Sequence, residues 1–255
     1  SVIFALTALI AGATTAYFSD TETSSGNTFT AGAIDLKIDN MSYYNRQVSP
    51  NNSWLLTDLD GELFFSFEDV KPGDEGEDTI SVHVFDNEAW ACFEVILTGT
   101  PENECIDPEL DAGDLSCNLD EGELQDELIF VFWADDGDNV LEDDEPVIFG
   151  PAPLATLSGQ IMTLADSNTN IWTGNANDPL LPTTVYFIGK AWCFGELTLD
   201  PVQAGFGLNP TLDSGVDCTG AGNSNIAQTD GAIADLAFSA VQQRNNENFL
   251  CEDED

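Results

Sequence analysis

Residues 62–99 read ELFFSFEDVKPGDEGEDTISVHVFDNEAWACFEVILTG, and this stretch decides the fold class. Leu63, Phe65 and Phe67 alternate with Phe64, Ser66 and Glu68, the two-residue period of a strand whose side chains point to opposite faces. Pro72-Gly73-Asp74 then supplies a turn. Ile80, Val82 and Val84 alternate with Ser81, His83 and Phe85, and Asp86-Asn87 punctuates the chain again. Residues 89–98 are mostly apolar, as suits a central sandwich strand. Three strand signals in succession, with no helical period among them, predict an all-β chain.

Working outward, residues 128–133 (LIFVFW) read as a buried strand, and β character returns at 147–149, 184–193 and 196–199. Residues 232–243 suit a strand from Leu236 better than a short helix. Upstream, residues 28–39 alternate, with a change of phase at Gly32 of the kind a bulge produces. Residues 41–54, 168–182 and 200–229 are polar or Gly/Asn-rich and read as loops, and 100–125 is an acidic insertion carrying two cysteines. The sum is about nine or ten strands with no internal repeat, hence a single β-sandwich domain over residues 28–255 with long decorated loops. Residues 20–27 read as a polar linker to an N-terminal arm, residues 1–19.

The 255 residues carry 47 Asp and Glu against five Lys and Arg, a formal net charge of −42. That balance excludes nucleic acid as a partner, because phosphate binding needs a basic footprint. It equally disfavours docking on an anionic membrane surface. Repulsion between such subunits is screened only beyond about 10 Å at moderate salt, so assembly is expected to need divalent cations or high salt.

Six cysteines (Cys92, Cys105, Cys117, Cys193, Cys218, Cys251) occur with one histidine and without a CxxC pair. Zinc sites need closely spaced Cys and His, so disulfides in an oxidising, extracellular compartment are the better account. Of about fifteen full pairings, Cys105–Cys117 is favoured because it closes a short loop. Cys92–Cys193 comes next, each following a Trp in an apolar run, and Cys218–Cys251 remains.

Asp135, Asp136, Asp138, Asn139, Glu142 and Asp144 follow the buried strand at 128–133, around Gly137. Oxygen ligands along a Gly-containing loop suit Ca²⁺, although the spacing is not that of an EF-hand; the alternative is a solvated acidic turn. Asp58, Asp60 and Glu62 form a shorter candidate. His83 lies mid-strand and reads as structural. With no H-E-x-x-H, no G-x-S-x-G and a single histidine, no enzyme is expected.

Residues 1–19, SVIFALTALIAGATTAYFS, carry no charge. They suit a signal-peptide core, a membrane helix of roughly 28 Å at 1.5 Å per residue, or a strand. As a strand, Val2, Phe4, Leu6, Ile10 and Phe18 put bulk on one face, opposite Ala5, Thr7, Ala11, Ala13 and Thr15. A strand of that kind fits a groove in another sheet, and it is the expected form.

The residues Tyr17, Phe18, Ser19 and Asp20, followed by Thr28, Phe29, Ala31, Gly32, Ile34, Asp35 and Leu36, resemble the start of the TasA/camelysin family of secreted proteins. Lys71-Pro72-Gly73-Asp74 leading into a strand is similar to a second family element. The resemblance is specific over about the first forty residues and loose to residue 98. It implies a jelly-roll-like sandwich that forms extracellular matrix fibres, the N-terminal strand of one subunit completing the sheet of its neighbour. The expectation is therefore a non-enzymatic, homopolymeric filament subunit, with Ca²⁺ as the candidate ion. The alternative is a calcium-stabilised surface or envelope protein tethered by an N-terminal membrane helix.

Overall fold

The computed structural model describes residues 19–23, 34–118, 120–221 and 225–253. The elements are, in order, β1 (Ser19–Thr23), β2 (Asp35–Tyr44), β3 (Gln47–Val48), β4 (Trp54–Thr57), β5 (Glu75–Phe85) and β6 (Ala89–Gly99). Helices α1 (Asp107–Ala112) and α2 (Leu124–Glu127) follow, then β7 (Leu128–Asp135), β8 (Val147–Pro153), α3 (Leu154–Leu157) and β9 (Gln160–Ala165). The last third holds β10 (Tyr186–Phe194), β11 (Glu196–Leu199), β12 (Val216–Thr219) and β13 (Ile233–Gln242), closed by a 3₁₀ turn at Cys251–Asp253.

The fold is the expected all-β sandwich. One sheet has the order β1-β13-β6-β9 and the other β3-β2-β5-β10-β7-β8, with β4 also on β2. Alternating apolar positions of both sheets meet between them. Phe93 of β6 lies 5.1 Å, ring centre to ring centre, from Phe132 of β7. Ile80, Val82 and Val84 are buried as their period requires.

A second, smaller core lies on the outer face of the large sheet. Val131, Trp133, Ala191 and Cys193 point there, covered by Leu141 and by Leu197 and Val216 of the β11–β12 ribbon. Gly189 stands directly across from Trp133, and any side chain at that position would overlap the indole. Inside the large sheet, Lys190 faces Asp78 across the β10–β5 pair, its Nζ 2.6 Å from the carboxylate with both side chains buried.

Several expectations are corrected. Residues 41–44 are not loop: β2 runs on through Tyr43 and Tyr44 and turns back at Asn45 and Arg46, both with positive φ (48° and 61°), the backbone of a tight hairpin turn. Residues 63–68 form no strand. Their aromatic rings dock individually instead, Phe67 stacked on Tyr44 at 4.6 Å and Phe64 edge-on to Trp54 at 5.2 Å. Ser19–Thr23, within the expected arm and linker, is an edge strand paired antiparallel with β13.

The disulfides are Cys92–Cys251, Cys105–Cys117 and Cys193–Cys218. The pairings Cys92–Cys193 and Cys218–Cys251 do not form. Cys92 and Cys193 sit in different sheets, and each alternates with residues of the shared core (Ala91 and Phe93; Trp192 and Phe194), so both sulfurs point away from it.

Candidate functional site

Two features lie toward opposite ends of β13. Ser19, where residues 1–18 join the body, is opposite Val241. A cleft of about 950 Å³ reaches Ala232 and Ile233 at the other end of the strand. Eight residues of strand separate those points, roughly 26 Å at about 3.3 Å per residue. Leu63, Phe65 and Phe67 form one apolar wall of the cleft, and Leu128 and Phe130 at the start of β7 contribute another. The non-strand path of residues 63–72 is what leaves this space beside the sheet. The expected insertion residues Val2, Phe4, Leu6, Ile10 and Phe18 lie outside the described residues.

In the candidate calcium loop after β7 the carboxylates accept hydrogen bonds, most of them from the backbone. Asp135 accepts hydrogen bonds from Gly137 N (2.8 Å) and Asn139 N (3.2 Å) through one oxygen, and from Trp133 Nε1 (3.1 Å) through the other. Asp138 accepts from Val140 N at 2.9 Å. Glu142 accepts from Gly205 N (2.8 Å) and Gly207 N (2.6 Å), which ties the loop to residues 203–207. Those backbone donors hold its carboxyl below the ordinary range. Glu145 accepts from the backbone N–H groups of Asp136 (2.8 Å) and Glu142 (3.0 Å), yet burial pushes it up to about 8. Asp136 and Asp144 are exposed, and Asn139 is buried. Among the described residues, no three of these carboxylates bring ligand atoms within 4.8 Å of one another. In the shorter candidate, Asp58 is held by Lys37 Nζ at 2.6 Å.

A convergence of acids occurs instead beside the cleft. Oxygens of Glu102, Asp114 and Glu123 lie within 4.8 Å of one another, as do those of Glu102, Glu109 and Asp230. Glu102, Glu109 and Asp114 are 3%, 0% and 2% exposed. Burial raises Glu102 and Glu123 above the usual carboxylate range and Asp230 to about 6. The acids come from Glu102 before α1, Glu109 within it, Asp114 and Glu123 between α1 and α2, and Asp230 before β13. Gly122 permits the convergence, since a Cβ there would lie about 3.0 Å from the Asp230 carboxyl carbon. Sequence reading missed this site because no local motif joins 102–123 to 230; the one available signal was the Cys105–Cys117 loop among acids.

His83 Nε2 faces both Ser81 Oγ (3.0 Å) and Asp39 Oδ2 (3.5 Å). A Ser–His–Asp relay uses opposite ring nitrogens; here one nitrogen serves both partners, so the trio is not arranged as a relay.

Among known families, the one described as camelysin metallo-endopeptidase has a model that aligns with the N-terminal third of the chain. Residues 2–83 match the camelysin family. This family includes TasA-like proteins and comprises secreted, matrix-related proteins of the cell exterior. No curated protein matches the chain. The camelysin match takes in β2 to β4, most of β5 and the 63–72 cleft wall, and it ends on the only histidine of the sequence. The acid cluster and all six cysteines lie beyond it.

The residues do not fit the catalytic metal that the camelysin name implies. A catalytic zinc shell takes three protein ligands with at least one His among them, beside carboxylates or Cys. Here the one imidazole is engaged by Ser81 and Asp39, and every cysteine is in a disulfide. What the described residues do offer are acidic clusters able to hold a metal ion through oxygen. No helix among the described residues is long and apolar enough to cross a membrane.

Proposed function

We propose that the chain is the subunit of an extracellular filament. It polymerises head to tail as residues 1–18 of one copy enter the apolar cleft of the next, in donor-strand fashion. The observation that carries this reading is the separation of the two features along β13. A donor at one end and an acceptor at the other make a heterologous contact that does not close on itself, the geometry of a filament. The camelysin match supports it by assigning the same segments to a secreted, matrix-related family.

Composition and energetics agree. Val2, Ile3, Phe4, Leu6, Leu9, Ile10, Tyr17 and Phe18 would contribute roughly 12–24 kcal/mol on burial, at about 1.5–3 kcal/mol each. Ordering the backbone costs about 1–2 kcal/mol per residue, so the segment is stable only where it is enclosed and its main chain is paired. On this reading the protein acts by assembly and carries no catalytic role. A hard cation such as Ca²⁺ offsets part of the charge that packed subunits accumulate.

The test is deletion of residues 1–18, with Phe4→Asp as a milder variant. The full chain should form filaments at high salt or with CaCl₂, and the deletion should remain monomeric, by electron microscopy and sedimentation. Filaments persisting after deletion would overturn the proposal, as would a full chain that stays monomeric under every one of those conditions.

A further inference from the structure

We infer that Glu102, Glu109, Asp114, Glu123 and Asp230 form a binding site for a hard divalent cation of the Ca²⁺ class, fixed by the Cys105–Cys117 disulfide. This names the ion site that the filament reading calls for, but its own evidence is independent of whether the chain polymerises.

The decisive group is Glu102. The residue is 3% exposed, and no N–H or hydroxyl donor reaches either carboxylate oxygen. Both triads of converging oxygens include Glu102, so it sits at the hub of the cluster. Glu123 Oε2 and Asp230 Oδ1 are likewise buried without a donor. Buried polar oxygens without partners are costly to a fold, and here several converge.

The remaining oxygens are held in place from outside the cluster. Asp114 Oδ1 accepts from Ser116 N (2.7 Å), and the single Ser116 Oγ proton is shared between Asp114 Oδ1 (2.8 Å) and Glu123 Oε1. Glu109 accepts from Ile106 N at 2.8 Å and Thr229 Oγ1 at 3.2 Å. Asp230 Oδ2 accepts from Glu123 N at 2.6 Å. Asp114, Glu123 and Asp230 therefore each use one oxygen for orientation and leave the other without an N–H or hydroxyl donor, while both Glu109 oxygens accept and both Glu102 oxygens are open; outer hydrogen bonds of this kind orient metal ligands. Asp114 Oδ2 rests 3.1 Å from Cys105 Sγ, a disulfide sulfur with no proton to give.

No side-chain cation serves instead. Lys37, Arg46, Lys71 and Lys190 are paired with Asp58, Glu75, Asp69 and Asp78 respectively. Among the described residues, none forms an ion pair with the cluster. An all-oxygen set rich in carboxylates suits Ca²⁺, which accepts about six to eight oxygens in irregular geometry; Mg²⁺ demands near-ideal octahedral geometry and keeps several waters.

The test titrates CaCl₂ into the chelator-treated full chain at constant ionic strength, by calorimetry and thermal melting. Variants are Glu102→Gln at the hub, Asp230→Asn at the rim and Asp138→Asn in the other acidic loop. Wild type should bind one Ca²⁺ per chain and melt higher in its presence. Glu102→Gln and Asp230→Asn should each weaken binding by at least about tenfold, while Asp138→Asn binds as wild type does. In chelator, Glu102→Gln should melt no lower than wild type, because it replaces a buried acid that no N–H or hydroxyl group reaches. The inference is overturned if wild type binds no Ca²⁺, if both cluster variants bind as tightly as wild type, or if Asp138→Asn alone abolishes binding. Should Glu102→Gln fail to fold, Asp230→Asn decides. These readouts need no filament, so failure here leaves the assembly reading standing, and failure of assembly leaves this site standing.

Discussion

The two acidic regions of this molecule are built on opposite plans. Residues 135–145 hold the denser run of carboxylates, and the fold uses them as hydrogen-bond acceptors that pin the loop over the outer core of the large sheet. Residues 102–123 and 230 are sparser in sequence, but the fold turns their carboxylates toward one another and leaves four buried oxygens without donors. Density of acids along the chain says little about ion binding. What distinguishes a site is the supply of N–H and O–H groups: where the backbone provides them, a carboxylate is structural; where it does not, something else must.

The buried Lys190–Asp78 pair gives the third solution to the same problem, a carboxylate neutralised by a side chain, and it allows the largest expected effect. Lys190→Met leaves Asp78 buried without its cation and should cost about 3–5 kcal/mol in denaturant unfolding, unaffected by CaCl₂. A loss under about 1 kcal/mol would mean that a buried acid here does not need a counter-charge, and would weaken the contrast as a whole.

Next is the Cys105–Cys117 link, whose sequence separation is 12. Replacing both with Ser should cost about 3 kcal/mol by loop entropy and also shrink the stabilisation by CaCl₂, because the link holds Asp114 and Glu123 near α1. Equal CaCl₂ stabilisation with and without the link would show that the cluster forms without it.

The smallest expected effect lies in the other loop. The Glu145 carboxyl is raised from an ordinary 4.5 to about 8 in the folded protein by burial. The folded state thus holds a proton the unfolded state has lost. Its contribution is fully present below pH 4.5 and is lost as pH rises through 8, reduced by the solvent that still reaches the group. Glu145→Gln should flatten the stability profile across that window. Glu142 runs the other way: its lowered value contributes stability above its unfolded value and loses it on acidification. An unchanged profile in Glu145→Gln would mean that the loop leaves this carboxylate solvated.

Much of the architecture was legible in the sequence because strand period and burial coincide in it. Ile80, Val82 and Val84, the run of β6 and the LIFVFW strand all lie where alternation puts them. The failures have physical causes. Residues 63–67 alternate like a strand, but the rings of Phe64 and Phe67 find partners on Trp54, Tyr44 and Trp192 without a ladder. Cys92 and Cys193 share a local pattern, but residue parity turns both away from the common core. The acid cluster was illegible because Asp230 is 107 residues from Glu123, the nearest of the other members in sequence, and joins them only when the stretch before β13 packs beside α1 and α2.

The claim of strand insertion is tested most directly by cross-linking. All six native cysteines are in disulfides, so an added pair reports without interference. Ile10→Cys would be combined in turn with Leu63→Cys and Ile233→Cys, both half exposed at the cleft. The account predicts that oxidation of filaments yields a ladder of covalent multimers on a non-reducing gel for at least one pair, and monomers for each single variant. Filaments that form normally yet give only intramolecular links, or none, with both pairs would contradict it.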